Sequence, residues 1–344
     1  MKTRLALIAL VGLLTVGQAA ASAQSGRSFG DTQIVAPVPA PGFPEGMAVH
    51  GNRFYVAGQA DLFNFGDPVP PTVFEYDLDS GALLRTFPME GQNLALPHGA
   101  SHVSFDGQGR LYVIDFQRGV VRIDLETSQQ EVYGMGWPII NTLGLPSLPN
   151  EMAFDAAGNL YVTDSFQGCI WRIAPGGGAP RIWFQDPRIT SSFGPNGIRF
   201  DASGNTVYFN VSIDSATAQA GVYTLPLSDA PQAADLKLFH RYGGGEIPDS
   251  LAFGRSGKLY ATLAAPPLSG LSILRPDGSE ETRIGDAPTS PLSPFDSPAC
   301  MAFDRKGGLL ISNHAFFTRI REHFLVLNTF VNDLELPLIK PDVP

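Results

Sequence analysis

Six residues, each directly after a proline in a recurring segment, carry the chemistry of this sequence: Glu45, His98, Asn150, Asn196, Asp249 and Ala299. Two carboxylates and two carboxamides at one repeat position make a set of hard oxygen donors. Such a mixture suits Ca²⁺, which takes roughly 6–8 oxygen ligands, better than Zn²⁺, which prefers nitrogen and sulfur. The predicted metal ligands are therefore Glu45, Asn150, Asn196 and Asp249, with water or substrate completing the shell. A lone Asn or Asp after proline is an ordinary turn residue that satisfies nearby backbone donors. Repetition at one register is what points to a cation, because carboxylates gathered in a closed space repel one another without one.

These positions converge only if the repeat closes on itself. The segments begin at Pro44, Pro97, Pro149, Pro195, Pro248 and Pro298, at intervals of 53, 52, 46, 53 and 50 residues. Each reads as a strand of alternating apolar residues, a tight turn such as Asp155-Ala156-Ala157-Gly158-Asn159, and a second strand such as Leu160-Tyr161-Val162-Thr163. A third strand follows, for example Cys169–Ile173, and then a fourth such as Ala82–Phe87. Repeats of this length built from four strands predict an all-β, six-bladed β-propeller with four antiparallel strands per blade. The last copy supplies strands near Met301–Asp304, Leu309–Ser312 and Phe324–Leu327, so Thr32–Val35 is expected to complete the sixth blade and close the ring.

Loop lengths distinguish the two faces of that ring. Hairpin turns such as Asp106–Gly109 and Arg275–Gly278 are compact, whereas the other connections are long: 59–72, 134–149, 210–221, 285–298 and 313–323. Long structured loops concentrate binding function. The long-loop face is also rich in aromatic residues, namely Phe63, Phe65, Phe116, Trp137, Phe166, Phe193 and Phe316, which either roof an apolar pocket or pin the loops.

A cation at such a site acts as a Lewis acid on a carbonyl oxygen, and hydrolysis then needs a base. The candidate catalytic residues are His98, whose ordinary pKa lies near neutrality, and Asp249, a ligand carboxylate. His102, four residues along the chain from His98, reads as structural. No Gly-x-Ser-x-Gly elbow occurs, so a serine nucleophile of that type is unsupported.

The chain starts with Lys2 and Arg4, a 12-residue apolar run Leu5–Val16 and a small-residue stretch ending Ala21-Ser22-Ala23. This predicts a cleavable signal peptide over 1–23, a single propeller domain over 24–344, and a secreted or periplasmic protein. The run is too short to span a bilayer as a helix, which needs roughly 20 residues. Cleavage removes two positive charges and no acid, taking the net charge from −10 to −12, which disfavours nucleic acid and anionic membranes as partners. A monomer acting on a small molecule is expected. Cys169 and Cys300 fall on opposite blades, too far apart for a disulfide, and are expected as free thiols.

The Pro-Glu-Gly, Pro-Asn-Glu, Pro-Asn-Gly and Pro-Asp-Ser segments resemble those of the calcium-dependent six-bladed propellers that include the gluconolactonase, senescence-marker and luciferin-regenerating family, the paraoxonases and the squid-type phosphotriesterases. The resemblance implies one catalytic Ca²⁺ on Glu45, Asn150, Asn196 and Asp249, and a lactone or ester substrate. Pro97-His98-Gly99 is similar to the paraoxonase segment that carries an active-site histidine, although its partner histidine would fall near Asp115-Phe116. A second, structural Ca²⁺ in those proteins uses an acid where this chain has Gly46, leaving Glu151 as a contributor. The alternatives are phosphotriester hydrolysis at the same site, a condensation like that of strictosidine-synthase relatives, and a non-catalytic binding module.

Overall fold

One copy of the repeat shows why these residues fold as they do. The side chain of Asp155 accepts the N–H groups of Ala157 and Asn159 at 2.9 and 2.8 Å, and Gly158 adopts a φ of 87°. A left-handed residue is inexpensive only for glycine, so Asp and Gly together set the turn. Tyr161, two residues into the next strand, donates its hydroxyl to the other oxygen of Asp155 at 3.1 Å. Asp106 and Tyr112 repeat the arrangement one blade earlier.

The computed structural model describes residues 26–58, 69–214, 219–285 and 294–344. The expected signal peptide, and Phe63 and Phe65, lie outside them. Among the described residues the strands form six four-stranded antiparallel sheets, and the helical residues are two three-residue turns, Ala233–Asp235 and Arg321–His323. The protein is a six-bladed β-propeller. Its innermost strands are Pro44–His50, Ala100–Phe105, Pro149–Phe154, Phe193–Phe200, Pro248–Phe253 and Pro298–Phe303. In the sixth sheet Thr32–Pro37 is outermost and pairs antiparallel with Leu325–Phe330.

Second strands such as Leu111–Asp115 and Leu160–Asp164 are buried on both faces, which explains their nearly continuous apolar character. The core is accordingly divided among the blade interfaces rather than gathered at the centre. Tyr112, Met152, Phe154, Leu160 and Trp171, for instance, form one such cluster between the second and third blades. Hydroxyls lace the blades together near the channel. Thr163, Thr262 and Ser312 on second strands donate to the backbone oxygens of Asn196, Ala299 and Glu45 on the next inner strand.

The C-terminal tail crosses the hairpin-turn mouth of the channel. Glu335 and Lys340 lie there against inner-strand residues such as His102 and Arg199 around a residual cavity of about 60 Å³. The tail then reaches the second blade, where the Gly107 N–H donates to the oxygen of Pro341 at 2.8 Å, and Val343 is buried.

Candidate metal centre and cavity

A bulge shared by all six inner strands defines the ring. In five blades the proline pairs across to the second strand, as Pro149 with Asp164, and the next regular pair lies three residues on, as Met152 with Val162. Two successive residues are thereby left to face the channel. The second blade differs. There Ala100 pairs with Asp115 and Val103 with Val113, so Ala100 takes the place of the proline. The residue equivalent to Asn150 is Ser101, and His98 precedes the strand. The expectation that His98 belongs to the ring is thus corrected: three extra residues separate Pro97 from the bulge, a shift hidden by the repeated Pro-x-Gly spelling.

The first ring is therefore Glu45, Ser101, Asn150, Asn196, Asp249 and Ala299. Four of these, Glu45, Ser101, Asn150 and Asp249, line one cavity and sit at its floor, and Asn196 adjoins Asp249. The Asn196 amide nitrogen donates to Asp249 Oδ1 at 2.7 Å and to Ser212 Oγ at 3.0 Å, and that of Asn150 to Ser165 Oγ at 3.4 Å. With both nitrogens so engaged, Asn150 Oδ1 and Asn196 Oδ1 are buried without a hydrogen-bond partner. Buried acceptors left this way are costly and call for a ligand. Burial first, then the charges of Glu45 and Glu151, push the Asp249 carboxyl well above its ordinary pKa. Crowded acids beside orphaned amide oxygens fit a hard cation.

The cavity has a volume of about 380 Å³. Phe116, Phe166, Phe193, Phe316 and Phe317 wall it, together with Leu148, Ile213 and Ile247. Trp137 instead donates its indole N–H to the Asp115 oxygen at 2.8 Å and pins its loop. One functional candidate went unnoticed in the sequence. His314, just past the second strand of the sixth blade, lines the cavity with Nδ1 2.7 Å from Glu45 Oε2, an ion-pair approach off the hydrogen-bonding direction. Its Nε2 is buried and unpartnered. The signal was present in Asn313-His314 at the foot of a long loop, but no repeat position marks it. His98 holds Nδ1 2.8 Å from the Leu96 oxygen and leaves Nε2 without a partner, outside the residues that line the cavity.

One residue deeper lies a second ring: Gly46, His102, Glu151, Gly197, Ser250 and Cys300. No side chain fits at Gly46, where a Cβ would stand 2.3 Å from His102 Cα and 2.5 Å from the Ser101 oxygen. Glu151, the contributor expected for a second Ca²⁺, accepts at one oxygen, Oε2, from Arg199 at 2.7 Å and from the Ile198 N–H at 3.2 Å. Cys169 and Cys300 are both free and buried. Cys169 packs in a blade core, whereas Cys300 belongs to the channel wall.

No protein-family model and no curated protein matches the chain. Solved structures do. A calcium-binding protein, regucalcin, from Agrobacterium tumefaciens superposes with a TM-score of 0.66 at 15% identity, covering 92% of this chain and 98% of that one. A gluconolactonase from Xanthomonas campestris gives 0.58 at 16% identity over 88% and 90% of the two chains. A luciferin-regenerating enzyme gives 0.58 at 13% identity over 87% and 95%. The chain shares their six-bladed propeller. At these identities the likeness establishes the fold, and the chemistry rests on the site itself.

Proposed function

We propose that this protein is an exported, calcium-dependent hydrolase of lactones or esters whose non-reacting part is apolar. The observation that carries the reading is the polar floor under apolar walls: Asn150 and Asn196 offer unpartnered amide oxygens between two acids, and phenylalanines enclose the space above. Support also comes from the propeller neighbours, one a calcium-binding protein and one a gluconolactonase.

Glu45, Asn150, Asn196 and Asp249 would hold the cation, and bound Ca²⁺ supplies Lewis-acid polarisation of the substrate carbonyl. The phenylalanine walls exclude water and hold the apolar body, while a sugar lactone would bury hydroxyls there without partners, at about 1–3 kcal/mol each. His314 takes the part of general base. Glu45 faces its Nδ1 and favours the tautomer with Nε2 unprotonated, so Nε2 accepts the proton of an attacking water. Asp249 is the second candidate for that proton, whereas His98 lies outside the residues that line the cavity.

The test is turnover by the purified mature chain of an alkyl-substituted δ-lactone, an aryl ester, gluconolactone and a phosphotriester, with and without chelator. Hydrolysis of the first two, lost on chelation and restored by Ca²⁺, is expected. Full activity after complete Ca²⁺ removal overturns the reading, and tight Ca²⁺ binding without turnover of any substrate favours a binding module. N-terminal sequencing of the exported protein should begin at Gln24.

A further inference from the structure

The second ring combines donors of a different chemical kind. His102, Glu151 and Cys300 come from the second, third and sixth blades, and their imidazole nitrogen, carboxylate oxygen and sulfur all lie within 4.8 Å of one another. All three are buried, His102 to 3% and Cys300 to 2% of full exposure. Neither ring nitrogen of His102 has a hydrogen-bond partner. Buried polar groups are ordinarily paired, so an imidazole that no protein group engages at either nitrogen offers a ligand position. The sulfur has weak neighbours only, with the Ser250 hydroxyl at 3.5 Å.

We propose that His102, Glu151 and Cys300 form a second metal site in the channel, selective for a borderline-soft divalent ion of the Zn²⁺ class rather than for Ca²⁺. One nitrogen, one sulfur and one oxygen ligand match that class, and hard Ca²⁺ has no use for sulfur or imidazole. Three protein ligands leave a fourth position for water or the Ser250 hydroxyl. Tetrahedral bonds of about 2.0–2.3 Å need ligands roughly 3.5 Å apart, so the side chains draw inward on binding. Binding replaces the Cys300 S–H proton, which leaves to solvent, by a metal–sulfur bond. Arg199, already against Glu151, offsets the added thiolate charge and keeps Glu151 turned to the channel. The site is independent of the hydrolase reading, because none of its three ligands belongs to the upper quartet.

The experiment strips the full mature chain of metal, reloads it with Ca²⁺ and titrates it with Co²⁺, whose spectrum reports ligand type. One further equivalent with an intense near-ultraviolet thiolate-to-cobalt band is expected. Cys300→Ser should abolish the band, and His102→Ala should weaken Co²⁺ binding at least about tenfold, the lower end of what loss of a mere supporting partner costs. Asn196→Ala, in the upper quartet, should leave the band in place. Co²⁺ bound without the band, or a band that survives in Cys300→Ser, overturns the site. Should the variants fail to fold, zinc-edge X-ray absorption on the wild-type protein decides: one sulfur scatterer at about 2.3 Å is expected, and a shell of oxygen and nitrogen alone refutes the proposal.

Discussion

At the scale of single residues, the channel is defined by buried polar atoms that no protein group engages. Asn196→Ala removes one orphaned oxygen together with the amide that bonds Asp249, so it should lower the thermal midpoint in saturating Ca²⁺ and shrink the Ca²⁺-induced rise seen by calorimetry. An unchanged rise would separate Asn196 from the metal. His102 gives a pH signature in metal-free protein. Burial, before any charge effect, depresses its pKa from 6.5 to about 4. The folded state therefore holds the neutral ring, and its contribution is complete above about pH 6.5 and lost as pH falls towards 4. The loss amounts to about 3 kcal/mol. Urea unfolding of chelated protein across that window should show it, and His102→Gln should flatten the slope. An equal slope in the variant would assign the acid sensitivity elsewhere.

At the scale of elements, the hairpin turns show one substitution that only the tail explains. Four inner strands end in an Asp at the first turn position, but the fifth has Gly254. Asp333 from the tail fills the vacancy: Tyr260 donates to it at 2.9 Å and the Ser256 N–H at 3.3 Å, and a Cβ on Gly254 would stand 2.0 Å from its Oδ2. Gly254→Asp should thus expel the tail rather than improve the turn, raising protease cleavage after residue 333 while the propeller persists. A tail protected as in the wild type would disprove that competition. The hydroxyl belt is a second element-scale device. Thr163→Val deprives the Asn196 oxygen of its donor and should cost about 1–3 kcal/mol in chemical unfolding, with weaker Ca²⁺ binding because the inner strand is no longer held.

At the scale of the whole molecule, the two termini do different work. Thr32–Pro37 covers the edge of Leu325–Phe330, and an unpaired edge strand recruits other chains. Deleting residues 24–37 should therefore drive concentration-dependent association, readable by light scattering. The tail plugs the mouth opposite the cavity, so traffic to the floor runs through the long-loop face, where the phenylalanines stand.

The sequence by itself determined the six repeats, the propeller, the turn chemistry and the shared position of Glu45, Asn150, Asn196 and Asp249 on the inner strands, because period, alternation and Asp-Gly turns are local properties written once per blade. It misled at His98, since an insertion of three residues before the bulge preserves the Pro-x-Gly spelling while moving Ser101 into register. Only the tertiary structure brought His314 against Glu45, placed Asp333 in the turn of another blade, and gathered His102, Glu151 and Cys300 from three blades. Those contacts join residues far apart in the chain, and His102 comes into register with Glu151 and Cys300 only through the three-residue shift in the second blade, so closure of the ring is the physical event that creates them.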